Sequence, residues 1–232
     1  HALEVAYLGT CQALWQPLEA REYHGEAIEP ITQIGLVDAT EQTIKAVNAL
    51  AAGQYAARDL CGTEPERMAP PRFADYCVDL FKGSNVVVDV IDDLAVIDKN
   101  YPMLSTVARA SYAVEHHHPR VVKLEYVPEG EVTRTLMFVG KGLVYDTGGA
   151  DLKVGGHMAG MSRDKGGAAS VAGFMKAVAD YQPKGVKVIA YLAVVRNSIG
   201  SDCFVPDEII TSREGVRVRI GNTDAEGRLA MG

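Results

Sequence analysis

Three short stretches of the chain hold side chains whose types and spacing suit chemistry. GKGLVYDTGG carries Lys141 and Asp146, MSRDKGGAAS carries Asp164, and NTDAEGR carries Asp224, Glu226 and Arg228, with Lys153 lying between the first two. If NTDAEGR is extended, alternate side chains point the same way, and Asp224, Glu226 and Arg228 share one face. On a helix, positions two apart diverge and the trio does not converge. Four carboxylates gathered in one pocket would repel by about 4 kcal/mol per close pair at an effective dielectric near 20. Divalent cations remove that cost, and a carboxylate-rich cluster without sulfur suits Mn²⁺, Mg²⁺ or Zn²⁺. Two ions are the economical reading, because four carboxylates exceed the needs of one tetrahedral site. Lys141, Lys153 and Arg228 add counter-charge and electrophilic help. Each residue also has a plain structural reading: a single Asp after a strand commonly caps a turn, and paired glycines serve turns or close packing. Neither GKG nor DKGG completes the G-x-x-x-x-G-K-[ST] pattern, so a phosphate loop is rejected.

Ligands of α/β proteins gather at the carboxyl ends of strands, and the surrounding text supplies such elements. The alanine-rich run from Thr40 to Gly62 has Ile44, Val47, Leu50 and Ala51 at helical spacing, with Thr40 placed to start the helix and Gly62 to stop it. After the prolines at 65, 70 and 71, Phe73 to Phe81 reads as a second helix. Strand-like runs follow at Ser84–Val90, Val121–Val127 and Thr135–Val139, and KVIAYLAVV (187–195) is apolar enough for a strand buried on both faces. A small-residue helix is expected from about Asp164 to Tyr181. Strand, helix, strand predicts an α/β fold with a mostly parallel central sheet flanked by helices. Lys141 and Asp146 would then stand just past a strand ending near Gly140, and Asp164 would open the helix of the same unit. Residues 1–30 show little periodicity.

Composition narrows the classes. Of 232 residues, 47% are apolar and 23% charged, which fits neither disorder nor a membrane class. Thirty acidic against 23 basic residues give a net charge of −7, with no basic excess for nucleic acid. No run reaches the roughly 18 apolar residues that span a bilayer. Cys11, Cys61, Cys77 and Cys203 lie far apart and read as reduced packing residues in an intracellular protein. Glu115-His116-His117-His118 offers imidazoles for a second metal patch, but a surface run before Pro119 is the favoured reading. His157, in GGHMAG, reads as a loop residue. The chain opens at His1 without methionine and closes four residues after Arg228, so it is expected to be part of a longer protein.

GKGLVYDTGGADLK, MSRDKGGAA and NTDAEGR, in that order and spacing, resemble the leucyl (cytosol) aminopeptidase family of two-metal metallopeptidases. NTDAEGR is the most specific of the three. AARDLCGTEPERMAPPRFADY resembles the family's helix leading into its catalytic domain, so the similarity runs over about residues 40 to 232. The stretch RNSIGSDCFVPDEIITSREGVRVRIGNTDAEGR is similar to a divergent, aminopeptidase-like animal branch. The resemblance implies a remnant of an N-terminal domain at 1–38, a linker helix at 39–62 and the front part of a metallopeptidase catalytic domain at 63–232.

It further implies a hydrolase that releases N-terminal amino acids, leucine-like ones preferred, from peptide substrates. Lys141, Asp146, Asp164 and Glu226 would bind the tighter of two divalent ions (Zn²⁺ or Mn²⁺). Asp146, Asp224 and Glu226 would bind the more exchangeable one, so Asp146 and Glu226 bridge. A lysine ligand must be neutral, and deprotonating it at pH 7 costs about 4–5 kcal/mol, which coordination must supply. Lys153 would stabilise the oxyanion, Arg228 would hold a bicarbonate acting as general base, and Met161 would line the pocket for the first side chain. The family also implies a homohexamer and a cytoplasmic location, with no nucleic-acid or membrane partner. Where typical members read Asn-Met-Pro, this chain has Asn197-Ser198-Ile199, which bears on substrate preference rather than on metal binding. The competing functional reading is a non-catalytic homologue or inactive fragment that keeps metal binding and acts as an antigen or binding protein. An unrelated two-metal phosphohydrolase would explain the carboxylates, but not Lys153 and NTDAEGR together.

Overall fold

A strand flanked by helices on both sides must bury both its faces, and Val186–Asn197 does so. Val188, Ala190, Leu192 and Val194 enter one apolar cluster, while Ala193 and Val195 enter another on the opposite face. The computed structural model describes residues 1–25, 28 and 31–232, and this strand is at its centre. In chain order the elements are α1 (Ala2–Leu14), α2 (Leu18–His24), α3 (Glu41–Gly62), α4 (Pro70–Phe81), β1 (Val86–Ile91), α5 (Leu94–Asn100) and α6 (Pro102–Ala108). They continue with β2 (Arg120–Tyr126), β3 (Arg134–Asp146), α7 (Gly166–Tyr181), β4 (Val186–Asn197), β5 (Ile209–Thr211), β6 (Arg217–Arg219) and α8 (Gly227–Ala230).

The α/β layering agrees with the sequence, but the sheet is not mostly parallel. Its order is β1-β2-β4-β3, and only β3 and β4 pair in parallel; β1–β2 and β2–β4 are antiparallel. The β3–α7–β4 unit is the strand–helix–strand crossover the pattern predicts. Extending it to the whole sheet failed because β2 enters between β1 and β4 in the opposite direction. An apolar run reports burial on two faces, and it carries no information about the direction of the neighbouring strand. β5 and β6 form a separate antiparallel pair.

Helix α3 begins where its text predicts: the Thr40 hydroxyl accepts from the Thr43 amide at 3.1 Å. Its small residues let it lie close on α7. A Cβ on Gly53 would stand 2.4 Å from the Gly173 carbonyl oxygen, so the two backbones meet where neither has a side chain. Phe73, Ala74, Cys77 and Phe81 of α4 join the same core as α7 and one face of the sheet. Helices α5, α6 and α8, with β5 and β6, line the other cluster. The first 24 residues, unpatterned in sequence, form α1 and α2. Their weak pattern has a cause: among these residues only Cys11 is buried, so no continuous apolar stripe is needed. All four cysteines are free. Among the described residues, no helix is long and apolar enough to cross a membrane.

Candidate metal centre

Strand β3 runs six residues past Gly140, so Lys141 lies within it and Asp146 is its last residue. The expected position of both just beyond the strand is thereby corrected: Gly140 and Gly142 stay extended, packed beneath α7 and against β4. The register shifts between Leu143 and Asp146, and this irregularity marks the strand's end. Asp164 follows a short 3₁₀ turn, Met161–Arg163, and precedes α7.

NTDAEGR is helical rather than extended: Thr223–Ala225 forms a 3₁₀ turn that runs into α8. Alternation therefore does not place Asp224, Glu226 and Arg228 on one face. Asp224 pairs with Lys153, Glu226 lies against Lys141, and Arg228 is exposed and makes no ion pair among the described residues. Met161, half-buried, opens the 3₁₀ turn before Asp164.

The charged groups interleave. Lys141 Nζ stands 2.8 Å from both Asp164 Oδ2 and Glu226 Oε1. Lys153 Nζ is 2.9 Å from Asp146 Oδ2 and also contacts Asp224. Asp146, Asp164 and Glu226 bring one ligand oxygen each within 4.8 Å of one another. Glu226 is fully buried, yet neither of its oxygens has a hydrogen-bond partner, and the same is true of Asp164 Oδ2. Lys141 is near enough for ion pairing but does not satisfy them with hydrogen-bond geometry. Burial, reinforced by the Asp146 charge, raises the pKa of both Asp164 and Glu226 against the pull of Lys141. Burial works against the charge of Lys141 and of Lys153, but their carboxylate partners outweigh it and raise both pKa values.

A buried carboxylate without partners is costly, and a cation is the usual remedy. The all-oxygen carboxylate set with an amine at its edge fits divalent ions of the Zn²⁺ or Mn²⁺ type. With Lys141 and Asp224 beside the three gathered carboxylates, the donor residues exceed the four of one tetrahedral site, so the arrangement suits a two-ion centre. A second group, Glu66 with His116 and His117, also gathers ligand atoms within 4.8 Å. Here the histidine run is a 3₁₀ turn whose first two rings face one carboxylate.

Several residues that hold the centre in place escaped the sequence reading. Asn197, at the end of β4 and fully buried, donates from Nδ2 to Asp146 Oδ1 at 2.8 Å and to the Thr223 carbonyl at 3.2 Å. It thus ties the β3 end to NTDAEGR. The Thr223 hydroxyl donates to the Gly148 carbonyl at 2.5 Å, and the Thr223 amide donates to Asp151 Oδ2 at 2.7 Å. Gly149, at φ +68°, sits under this knot, where a Cβ would lie 3.0 Å from Thr223 Oγ1. Lys165 is wholly buried and donates to the carbonyls of Thr63, at 2.8 Å, and Ser162, at 2.5 Å. Burial pushes its pKa down to about 8. It anchors the residue next to Asp164 to the end of α3. The only sequence signal for Lys165 was a lysine opening a helix of small residues.

Comparison with known proteins bears on the same segments. The model of the cytosol aminopeptidase family, catalytic domain, matches residues 55–232. The chain is 47% identical to the Caenorhabditis elegans protein W07G4.4, named for an aminopeptidase, over 98% of this chain and 44% of that one. It is 35% identical to a Synechococcus sp. (strain CC9605) protein named as a cytosol aminopeptidase, over 88% of this chain and 41% of the relative. Among solved structures, the Coxiella burnetii cytosol aminopeptidase superposes with a TM-score of 0.79 at 26% identity, covering 98% of this chain and 46% of that one. The leucyl aminopeptidase of Trypanosoma brucei, solved with actinonin, gives 0.74 at 31% identity, covering 80% and 35%. The chain spans less than half the length of each of these relatives. With the matched region covering every residue of the carboxylate centre, the chain belongs to the cytosol aminopeptidase family.

Proposed function

We propose that the longer protein represented by this chain is a metal-dependent aminopeptidase that removes N-terminal residues, leucine-like ones preferred, from peptides. The observation that carries this reading is the buried Glu226 carboxylate, ion-paired with Lys141 but with no hydrogen bond to either oxygen, inside a ring of lysines and aspartates. Lys141, Asp146, Asp164 and Glu226 would hold one divalent ion, and Asp146, Asp224 and Glu226 the second. Bound there, the ions supply Lewis-acid activation of water and of the scissile carbonyl.

The chain's own residues then divide the remaining work. Lys141 must surrender a proton to become a ligand, and its two carboxylate neighbours make that loss harder in the metal-free chain. Lys153, held protonated by Asp224 and Asp146, keeps its charge and donates to the oxygen on which negative charge develops. Asn197 fixes the Asp146 carboxylate through Oδ1, leaving Oδ2 for the site. Arg228, exposed within α8, would hold a bicarbonate, which would supply a general base there, and Met161 borders the pocket for the first side chain. Ser198-Ile199 stand at the exit of β4 and tune which first residue is preferred.

Residues 1–38 belong to the remainder of an N-terminal domain, 39–62 form the linker helix, and 63–232 begin the catalytic domain. The names of the cytosol aminopeptidase relatives support a cytoplasmic protein, and the family resemblance supports a homo-oligomer, specifically a hexamer. Release of leucine from leucyl-amide by the full-length protein, loaded with Mn²⁺ or Zn²⁺, tests the reading. Turnover is expected, and in Lys153→Ala it should fall by about 10²–10³-fold with metal content unchanged, the usual cost of removing an oxyanion donor. A full-length protein that binds two ions and releases no amino acid would overturn it.

A further inference from the structure

Outside the carboxylate centre, Glu66, His116 and His117 converge from two separate segments. Glu66 lies in the loop between α3 and α4, and the two histidines lie in the 3₁₀ turn before β2. His116 Nε2 is 2.8 Å from Glu66 Oε2, and His117 Nε2 is 3.0 Å from Glu66 Oε1. From the geometry of these three side chains, we propose that they form an additional binding site for one transition-type divalent ion such as Zn²⁺.

The argument rests on which nitrogen of His117 bears a lone pair. Arg196 Nη1 lies 3.1 Å from His117 Nε2 and 2.9 Å from Glu66 Oε1. A guanidinium has donors only, so in the tautomer with the ring proton on Nδ1, His117 Nε2 accepts from Arg196. That is the tautomer a metal requires. In that tautomer His117 Nε2 and Glu66 Oε1 face each other as two acceptors at 3.0 Å. A cation between them relieves that contact.

Arg196 relieves it from one side only, and it has somewhere else to rest. Its guanidinium carbon already stands 5.6 Å from the centroid of the Tyr145 ring, within cation–π range. Its Nε is buried without a partner, so the hydrogen-bond network does not fully hold the side chain. Two imidazoles and one carboxylate form a recurrent three-ligand zinc set that leaves a fourth position open. The Glu66 and His116 side chains are 56% and 58% exposed, which gives an ion a path in, while His117 at 13% gives the site a fixed wall. The site is distinct from the carboxylate centre, sharing no residue with it.

The test is Zn²⁺ content of the full chain, stripped with chelator and dialysed against low-micromolar free Zn²⁺. The wild-type chain should hold one equivalent more than His116→Ala and one more than Glu66→Gln. The same equivalent should survive in Glu226→Gln, which disables the carboxylate centre. His116 is a surface side chain, so its removal leaves the fold intact, and Glu66→Gln preserves shape while removing charge. Equal Zn²⁺ content in wild type, His116→Ala and Glu66→Gln overturns the site, as does loss of the extra equivalent in Glu226→Gln. Neither result bears on whether the carboxylate centre is catalytic.

Discussion

Three acidic side chains are buried among the described residues, and two of them, Asp59 and Glu226, have surroundings that could hardly differ more. Asp59 of α3 is 4% exposed, and both its oxygens are engaged: Trp15 Nε1 donates to Oδ1 at 3.1 Å, while Arg21 at 2.5 Å and Tyr76 at 2.8 Å donate to Oδ2. These partners come from the segment joining α1 to α2, from α2 itself and from α4, so one carboxylate pins four parts of the chain together. Glu226 is more deeply buried, and neither of its oxygens accepts a hydrogen bond. A carboxylate whose two oxygens both accept hydrogen bonds stabilises the fold it sits in; one with an ion pair alone carries a desolvation cost that a metal ion would relieve. Burial alone does not distinguish structure from chemistry. The state of the lone pairs does.

The largest expected effect is therefore on metal retention. Glu226→Gln should weaken binding at the carboxylate centre by more than the roughly 10–100-fold that loss of an outer supporting group costs, and abolish turnover with it. The metal-free variant should be at least as stable as the metal-free wild type, because the buried charge removed accepts no hydrogen bond and Lys141 keeps Asp164 as its ion-pair partner. Metal content by elemental analysis and a urea melt of the chelated protein measure the two halves. A metal-free variant that is markedly less stable would contradict the contrast drawn here.

Asp59→Ala should do the reverse. It leaves Trp15 Nε1 and the Tyr76 hydroxyl without their acceptor and removes the partner of Arg21, which is itself one-third exposed. Allowing for that exposure, a loss of about 3 kcal/mol is expected. It should appear as a lower urea midpoint with metal content per folded chain unchanged. If metal binding falls instead, the two carboxylates are not separable.

How far the sequence exposed this contrast can be argued residue by residue. α3, α4, the β3–α7–β4 unit and the chemistry-bearing residues were legible because helical spacing, small-residue runs and three ordered motifs are local signals. Sheet direction was not, since β2 pairs with β4 across more than sixty residues and nothing in RVVKLEY states which way its neighbour runs. The same limit explains NTDAEGR. Its alternation suggested an extended strand, but Asn222 caps a 3₁₀ turn by accepting from the Asp224 amide, a choice made by one side chain. Asn197, Thr223 and Lys165 went unseen because a positioning residue announces itself only through the partner it holds, and those partners lie far away in sequence.

Asn197 tests whether positioning and ligation are separable. Asn197→Ala removes the 2.8 Å bond to Asp146 Oδ1 and the tie to the Thr223 carbonyl, but touches neither Glu226 nor Lys141 directly. Metal affinity should fall by about 10–100-fold, the usual cost of losing an outer-shell partner. Asn197→Asp keeps an oxygen facing the site but cannot donate to Asp146, so it should not restore affinity. Isothermal titration with Mn²⁺ distinguishes these cases. An unchanged affinity in Asn197→Ala would mean that β3, the Gly148 amide and Lys153 suffice to hold Asp146.

The smallest expected effect belongs to a carboxylate that is partnered but not buried. Glu208 meets Arg109 with both oxygens, at 2.7 and 2.9 Å, and a quarter of its side chain remains exposed. The paired N–H groups of Arg109 lower its pKa against the opposing effect of burial. Because the folded value lies below the unfolded one, the stabilisation is whole above the ordinary Glu range near pH 4.5 and is lost as pH falls below it. Solvent screening keeps the contribution to about 1 kcal/mol or less. Glu208→Gln should therefore shift the urea midpoint slightly at pH 7 and bring the two proteins together as the pH drops through the acid limb. A difference that widens in acid would place Glu208 with Glu226, as a strained carboxylate, rather than with Asp59, as an anchored one.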